Sequence, residues 1–244
     1  MLKIEHAEVV GWEHVIRGMR NPKNSWDKSD SRYYNCLCDE IACENCRFRD
    51  MDDCSKQSSI DKVTLGPNDY DLMMRLREAG TDHRKFMRMI TVYSDITAPL
   101  YWWKEFDTYK VGTVANSCST MHKIHARELF DEDFSYEDIF SEHEEYAGDN
   151  AIHTAYCVAQ QTVLALNRLR YMYNATKDKK YWRAMIQLLP TSYNQRRTVM
   201  LNYEVLANIY KSRRNHKLDE WHTLCDWIES LPYSELITGK REEK

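Results

Sequence analysis

Polar groups that could contact a ligand recur in residues 193–214, a stretch without Gly or Pro that follows Leu189-Pro190. The stretch is rich in helix-forming residues, so it predicts a helix of about five to six turns. At about 100° per residue, one stripe of that helix would be apolar apart from Asn202 and Arg213, and Asn208 would lie on an adjoining face. A buried amide costs roughly 1–3 kcal/mol unless it is hydrogen-bonded, and a buried guanidinium costs more unless it meets an anion. The pattern therefore indicates either a satisfied amide with an arginine that reaches solvent past the helix end, or a helix that presents both groups to a ligand.

A second group of reactive side chains is a cluster that holds five of the eight cysteines of the chain. These cysteines are Cys36, Cys38, Cys43, Cys46 and Cys54. Cys43-x-x-Cys46 has the spacing of half a structural zinc site, because two intervening residues let both thiolates reach one tetrahedral ion. The other half would come from Cys36, Cys38 or Cys54, since there is no second C-x-x-C. Three interpretations stay open: a structural zinc that staples a loop without a core of its own, free thiols, and redox disulfides.

The overall composition excludes some functional classes. The 244 residues include 34 Lys and Arg against 38 Asp and Glu, a formal net charge of −4, so the basic excess typical of a nucleic-acid surface is missing. No stretch reaches the length of an apolar membrane span, and the N-terminus lacks a signal-peptide core. We therefore expect a cytoplasmic protein that binds neither membrane nor nucleic acid, in which disulfides are unusual.

The helices and strands that would position these groups are predicted from the periodicity of apolar residues, from helix-capping residues and from helix-breaking Gly and Pro. Strands are predicted at 2–10 and 86–93, a helix at 69–79 with Asp69 as its cap and Gly80 as its stop, and an aromatic helix at 98–110. Further helices are predicted at 14–19, 151–178, 181–189 and 218–231, and an exposed acidic segment at 128–150. We expect one α+β domain over 1–244, with a helix-rich second half and a cysteine-rich insertion at about 21–59.

The polar groups near the C-terminus resemble a known family signature. The residues that carry the resemblance are Leu189-Pro190, Asn202, Asn208, Arg213, His216 and Trp221. In this order and spacing they are similar to the C-terminal signature of the flavin-dependent thymidylate synthases. In that family the helix crosses the active site, its two Asn contact the flavin, and its Arg holds the nucleotide phosphate. The three central positions match without a gap, whereas the stretch after Arg213 is about one residue shorter.

A second similar stretch begins at Ala98-Pro99. Lys104-Glu105-Phe106 is similar to the family's Arg-Gln-Trp, and Thr108-Tyr109-Lys110 replaces its Arg-His-Arg. Thr113 falls on the first family Ser, and residues 116–120 occupy the segment that grips the nucleotide. The second family Ser falls on Cys118, or on Ser119 if the register shifts by one.

This stretch also departs from the family pattern. Lys110 and Thr108 stand in place of two family arginines. A lysine cannot form the two parallel hydrogen bonds of a guanidinium, and a threonine carries no positive charge at all. Met121 and His122 do not restore the Arg–Tyr pair of the family. Upstream, Gly80-Thr81-Asp82-His83 is similar to the Gly-His loop whose His lies beside the flavin, but the second family His falls on Met89.

The resemblance implies a fold and a reaction. The fold would be that of the thymidylate synthase-complementing proteins, with helices packed on a small mixed or antiparallel sheet. The protein would be a homotetrameric, FAD-dependent methyltransferase of nucleotide biosynthesis, converting dUMP to dTMP with methylenetetrahydrofolate and a nicotinamide reductant.

The same resemblance assigns roles to individual residues. The flavin would be held by His83, Asn202 and Asn208, the substrate by Arg213, Asn116 and Cys118, and the catalytic candidates on the nucleotide side are Ser119 and Lys110. Two alternatives remain: a relative that keeps the fold and acts on another nucleotide, and a non-catalytic assembly or metal-stapled interaction protein. The last is supported by the cysteine cluster and by the aromatic run 101–103, although such aromatics are typical of a core or subunit interface.

Overall fold

The computed structural model describes residues 2–34, 62–140 and 150–240. The five clustered cysteines lie outside these ranges, so the zinc site stays a prediction, as does the single domain with an insertion at about 21–59. Within the three ranges, no group of three or more His, Cys, Asp or Glu side chains could hold a metal ion. No helix in the same ranges is long and apolar enough to cross a membrane.

The described chain is α+β. Its strands are β1 (Lys3–Val10), β2 (Arg32–Tyr34), β3 (Lys62–Thr64), β4 (Thr91–Pro99), β5 (Val114–Ser117) and β6 (Asn194–Asn202). Its helices are α1 (Trp12–Arg20), α2 (Pro67–Glu78), α3 (Leu100–Phe106), α4 (Thr120–Lys123), α5 (Asn150–Thr176), α6 (Lys179–Leu188), α7 (Tyr203–Arg213), α8 (Asp219–Glu229) and α9 (Glu235–Thr238). A four-stranded sheet has the order β1-β4-β6-β5, and β2 pairs with β3 in a separate antiparallel ribbon.

The chain divides into two compact units. The first comprises Met1–Glu5, Asp95–Thr108 and Ala115–Thr198, and the second comprises His6–Ser94, Tyr109–Val114 and Val199–Lys244. The core of the first unit includes Ile124, Leu129, Phe134, Tyr136, Ala159, Val163, Leu166 and Met185. Leu129, Phe134 and Tyr136 are therefore buried, and the prediction of an exposed segment at 128–150 is wrong for these positions, because its apolar side chains fold inward between the acidic ones.

Three aromatic residues of α3 are also buried in the first unit, whereas Tyr101 is half-buried. Trp102 and Trp103 are 0% and 1% exposed, and Phe106 stacks on Trp102 with the ring centres 5.0 Å apart. The indole nitrogen of Trp103 donates to the Gln195 carbonyl at 2.9 Å. These rings belong to a core, so they do not offer an exposed surface to a partner.

The second unit contains a buried ion pair. Asp69 was predicted to cap a helix, but Gly66 takes the cap position of α2 and the Asp69 side chain is fully buried. Its carboxylate accepts from the Arg20 Nε at 2.6 Å and from the hydroxyls of Ser29 and Ser31. A buried carboxylate is stable only when its lone pairs are occupied in this way, so Asp69 of α2 ties α1 to the segment 29–31.

The predicted continuous helix over 193–214 is wrong. Its first half is strand β6 and its second half is helix α7. Val199 and Leu201 are both fully buried two positions apart, so the period of the buried side chains is that of a strand. Asn202 has extended backbone angles and caps α7, with its Oδ1 accepting from the Val205 amide at 3.0 Å.

Two further boundaries differ from the sequence prediction. Residues 86–93 were predicted to be a strand, but Arg84–Met89 forms a 3-10 helix and β4 begins at Thr91. Residues 98–110 were predicted to be one helix, but Ala98 and Pro99 end β4, and α3 ends at Phe106. The strand runs to Pro99 because Val92, Ile96 and Ala98 bury alternate positions, which is a two-residue period.

Candidate functional site

Helix α7 and the cap residue before it, both in the second unit, carry three of the predicted site residues. Asn202 is 8% exposed, and besides its capping bond its Nδ2 donates to the Gly112 carbonyl at 3.3 Å. Gly112 has φ +76°, and a Cβ there would lie 2.5 Å from the Asn202 Nδ2. Asn202 therefore fixes the start of α7 and holds the segment Tyr109–Val114 close to it.

The last residue of α7, Arg213, is half-buried between two aromatic rings. Its Nε donates to the Tyr109 hydroxyl at 2.9 Å, and its guanidinium carbon lies 4.7 Å from the centre of the Trp221 ring. Tyr109 and Trp221 meet edge to face with ring centres 6.1 Å apart. These contacts orient the guanidinium to which the family resemblance assigns the nucleotide phosphate. Lys110, the next residue after Tyr109, is exposed.

The turn that contains His83 is tied to the side of α7. Gly80, at φ +104°, starts the turn, and the exposed His83 donates its backbone N–H to the Gly80 carbonyl at 3.1 Å. Arg84 then donates from Nε to Glu204 at 3.2 Å and from Nη2 to the Oδ1 of Asn208 at 3.2 Å. Within the second unit, the turn that carries the exposed His83 is thus bound to α7 through Arg84, which contacts Glu204 and the exposed Asn208.

Sequence reasoning missed three residues of this arrangement, namely Arg84, Glu204 and Tyr109. Glu204 was detectable, because it is the one charged residue in the otherwise uncharged run 199–209. A charge in such a run requires a partner when it is buried, and the Glu204 side chain is 8% exposed. Its partners lie about 120 positions away in sequence, so local spacing could not identify them.

The other predicted residues, Asn116, Cys118 and Ser119, lie in the first unit and are exposed. The Ser119 hydroxyl accepts from the His122 amide at 3.1 Å as the cap of α4, which leaves its proton for another partner. The Cys118 amide donates to the Arg196 carbonyl at 2.9 Å, and its thiol is free.

Cys118 and Ser119 line a cavity of about 620 Å³ within the first unit, whereas Asn116 is not part of its wall. Its cationic side chains include Arg127, whose Nη1 donates to the Asp133 carboxylate at 2.8 Å. Burial alone would raise the pKa of Asp133, but the hydrogen bonds from Arg127 and the Phe130 amide outweigh it and the pKa is lowered.

A second arginine of the cavity is paired as well. Arg196 donates to Asp95 at 2.6 Å, so its charge is also matched by a carboxylate. Lys123 makes no ion pair with any described residue, and it is the cation in this wall best suited to a ligand. The cavity could hold an anionic ligand through Lys123 and the Ser119 hydroxyl.

Comparison with known proteins yields structural matches alone. No family model and no curated protein matches the sequence. A crystal structure of thymidylate synthase X from Helicobacter pylori with FAD and dUMP matches with a TM-score of 0.61 and 14% identity, covering 98% of each chain. This chain has the fold of a flavin-dependent thymidylate synthase. Another structure of that enzyme from the same organism, also complexed with FAD and dUMP, matches with a TM-score of 0.58 and 14% identity over 97% of this chain and 98% of that chain.

Proposed function

We propose that this chain binds FAD and dUMP and catalyses flavin-dependent methylation of dUMP to dTMP, with methylenetetrahydrofolate as carbon donor and a nicotinamide reductant. The observation that carries the proposal is the fold, which is shared over nearly the whole chain with an enzyme whose structure contains FAD and dUMP. The homotetramer implied by the family resemblance is part of the same proposal.

The residues of the second unit suit a flavin. Asn208 is exposed, with its Oδ1 fixed by Arg84, so its Nδ2 can donate to a carbonyl or ring nitrogen of an isoalloxazine. His83 is exposed in the turn that precedes Arg84 and offers a flat ring beside such a ligand. Both polar atoms of Asn202 already bond to protein, so we assign it the positioning of α7 and of Gly112. Bound FAD would supply the reducing equivalents of the reaction.

The remaining residues suit a nucleotide. Arg213 is oriented by Tyr109 and Trp221, and a guanidinium held in this way binds phosphate oxygens with little loss of side-chain freedom. Lys110 adds a positive charge next to Tyr109. In the first unit, Ser119 offers a hydroxyl, and Asn116 and Cys118 offer an amide and a thiol.

One observation favours a second candidate function, the processing of a different nucleotide. The resembled family has arginines at the positions of Thr108, Lys110 and Thr120, and a tyrosine at the position of Met121. Because a lysine or threonine cannot form the two parallel bonds of an arginine, the specificity for dUMP could have changed while the fold was kept. The interaction-protein alternative keeps little of its aromatic support, since Trp102 and Trp103 are buried and Tyr101 is half-buried.

The proposal is tested by the absorbance spectrum of the purified protein during titration with FAD and then with dUMP. Flavin bands that shift on addition of dUMP support the synthase function, and Arg213→Ala should weaken the dUMP response while keeping the flavin bands. Flavin bands that ignore dUMP but respond to another nucleotide support the second candidate. No flavin binding at FAD concentrations well above micromolar would refute the cofactor assignment.

A further inference from the structure

Two arginines of the second unit share one buried carboxylate. Glu204 lies in the first turn of α7, and its side chain is 8% exposed. Its Oε1 accepts from the Arg84 Nε at 3.2 Å, and its Oε2 accepts from the Arg88 Nε at 3.3 Å. Both arginines belong to the 3-10 helix Arg84–Met89. One carboxylate therefore fixes the direction of two guanidinium groups.

The guanidinium of Arg88 extends from this clamp into solvent. Its side chain is 59% exposed, and its two Nη atoms make no hydrogen bond with any described residue. A guanidinium has five N–H donors in a rigid plane, so a group held through Nε presents its Nη edge as an oriented fork. Such a fork matches two oxygens of a phosphoryl group.

The charge around the clamp is unbalanced. Glu204 contributes one negative charge, whereas Arg84 and Arg88 contribute two positive charges. The charge of Arg84 also reaches Arg77: the pKa of Arg77 is lowered first by burial and second by Arg84, while the charge of Glu78 opposes this lowering. Arg77 itself is engaged with the carbonyls of Leu236 and Ile237. Arg84 and Arg88 together with Glu204 leave one net positive charge, which favours an anionic ligand.

We propose that Arg84 and Arg88 form a phosphoryl-binding site, clamped by Glu204, with Arg88 as the residue that contacts the ligand. The site is separate from Arg213, which is held by Tyr109 and Trp221. This chain lacks the guanidiniums expected at positions 108 and 110, but it presents Arg84, which bonds Asn208, and Arg88, which shares Glu204 with Arg84. The identity of the natural ligand rests on the proposed function: the phosphoryl group belongs to the diphosphate of FAD or to the phosphate of a nucleotide.

The test compares Arg88→Gln with the wild-type chain by isothermal titration of inorganic pyrophosphate, FAD and dUMP, with riboflavin as the flavin that has no phosphate. We expect Arg88→Gln to weaken pyrophosphate binding about tenfold, since a charge-assisted fork is lost. The same substitution should weaken FAD or dUMP by a similar factor, and the affected ligand identifies the source of the phosphoryl group. Riboflavin binding should not change.

Arg75→Gln is the matched control. Arg75 is 60% exposed and also bonds a carboxylate through Nε, that of Asp71 at 2.9 Å. Asp71 is itself exposed, and among the described residues no second arginine shares it. The proposal is overturned if Arg88→Gln leaves the affinities for all three phosphate-bearing ligands unchanged, or if Arg75→Gln lowers them equally. Pyrophosphate binding that depends on Arg88 in a chain that binds neither FAD nor dUMP would support this site and refute the proposed function.

Discussion

Asn202 was predicted to bind flavin, and its substitution tests whether its amide instead stabilises the protein by capping α7 and holding Gly112. Asn202→Ala removes the cap of α7, which costs about 1 kcal/mol, and the bond to the Gly112 carbonyl, which costs about another 1 kcal/mol because the acceptor loses its partner. The free energy of unfolding from urea denaturation should therefore fall by about 2 kcal/mol.

Asn202→Ser separates the two contributions. Serine can accept the Val205 N–H as a cap, but its side chain is too short to replace the bond to Gly112. We expect a loss of about 1 kcal/mol, half the loss of the alanine variant. The positioning role is refuted if Asn202→Ala changes the free energy of unfolding by less than about 0.5 kcal/mol while FAD binding is lost, because Asn202 would then act as a flavin ligand alone.

Two further predictions concern the second unit. Asp69→Asn leaves the buried Arg20 guanidinium without a charged partner and should lower the free energy of unfolding by about 3–5 kcal/mol, measured by urea denaturation. Burial alone would raise the pKa of Asp69, but the hydrogen bonds from Ser31, Ser29 and Arg20 prevail and lower it from its ordinary value of 3.8. The stabilisation by Asp69 is therefore present above the unfolded pKa and is lost as the pH falls through the folded pKa. This pH dependence would be contradicted by wild-type melting temperatures that, between pH 7 and pH 2, decline no faster than those of Asp69→Asn. Tyr109→Phe removes the hydroxyl that accepts from Arg213 and should weaken dUMP binding by about fivefold with FAD binding unchanged, measured by titration; an equal loss for both ligands would indicate a general structural effect.

The sequence identified much of the fold where periodicity was strong. The long helix predicted at 151–178 is Asn150–Thr176, and the stop predicted at Gly80 is the residue just after the C-cap of α2, with positive φ. The failure at 193–214 has a physical cause: residues 195–201 contain arginines, methionine and leucine, which favour helices, yet pairing in the sheet overrides that preference. The Asn at position 202 was itself a cap signal, and a reading that began a new helix there would have been correct.

The family resemblance proposed His83, Asn208 and Arg213 as candidates, but the sequence did not identify the residues that contact them. Spacing alone left two interpretations of Asn208 and Arg213 open, satisfied polar groups or ligand-binding groups, and the family resemblance is what assigns them to a ligand. The bond from Arg84 to Glu204 and the bond from Tyr109 to Arg213 join residues that are about 100 or more positions apart, so only the folded chain shows them. Whether the substitutions at 108 and 110 change the substrate depends on affinities rather than on spacing.

The measurement that tests the proposed function most directly is the formation of dTMP. Purified chain is incubated with FAD, dUMP, methylenetetrahydrofolate and a reduced nicotinamide nucleotide without oxygen, and the products are identified by mass spectrometry. The proposed function predicts dTMP that requires every component and that falls sharply in Arg213→Ala. Absence of dTMP from a chain that binds both FAD and dUMP would contradict it.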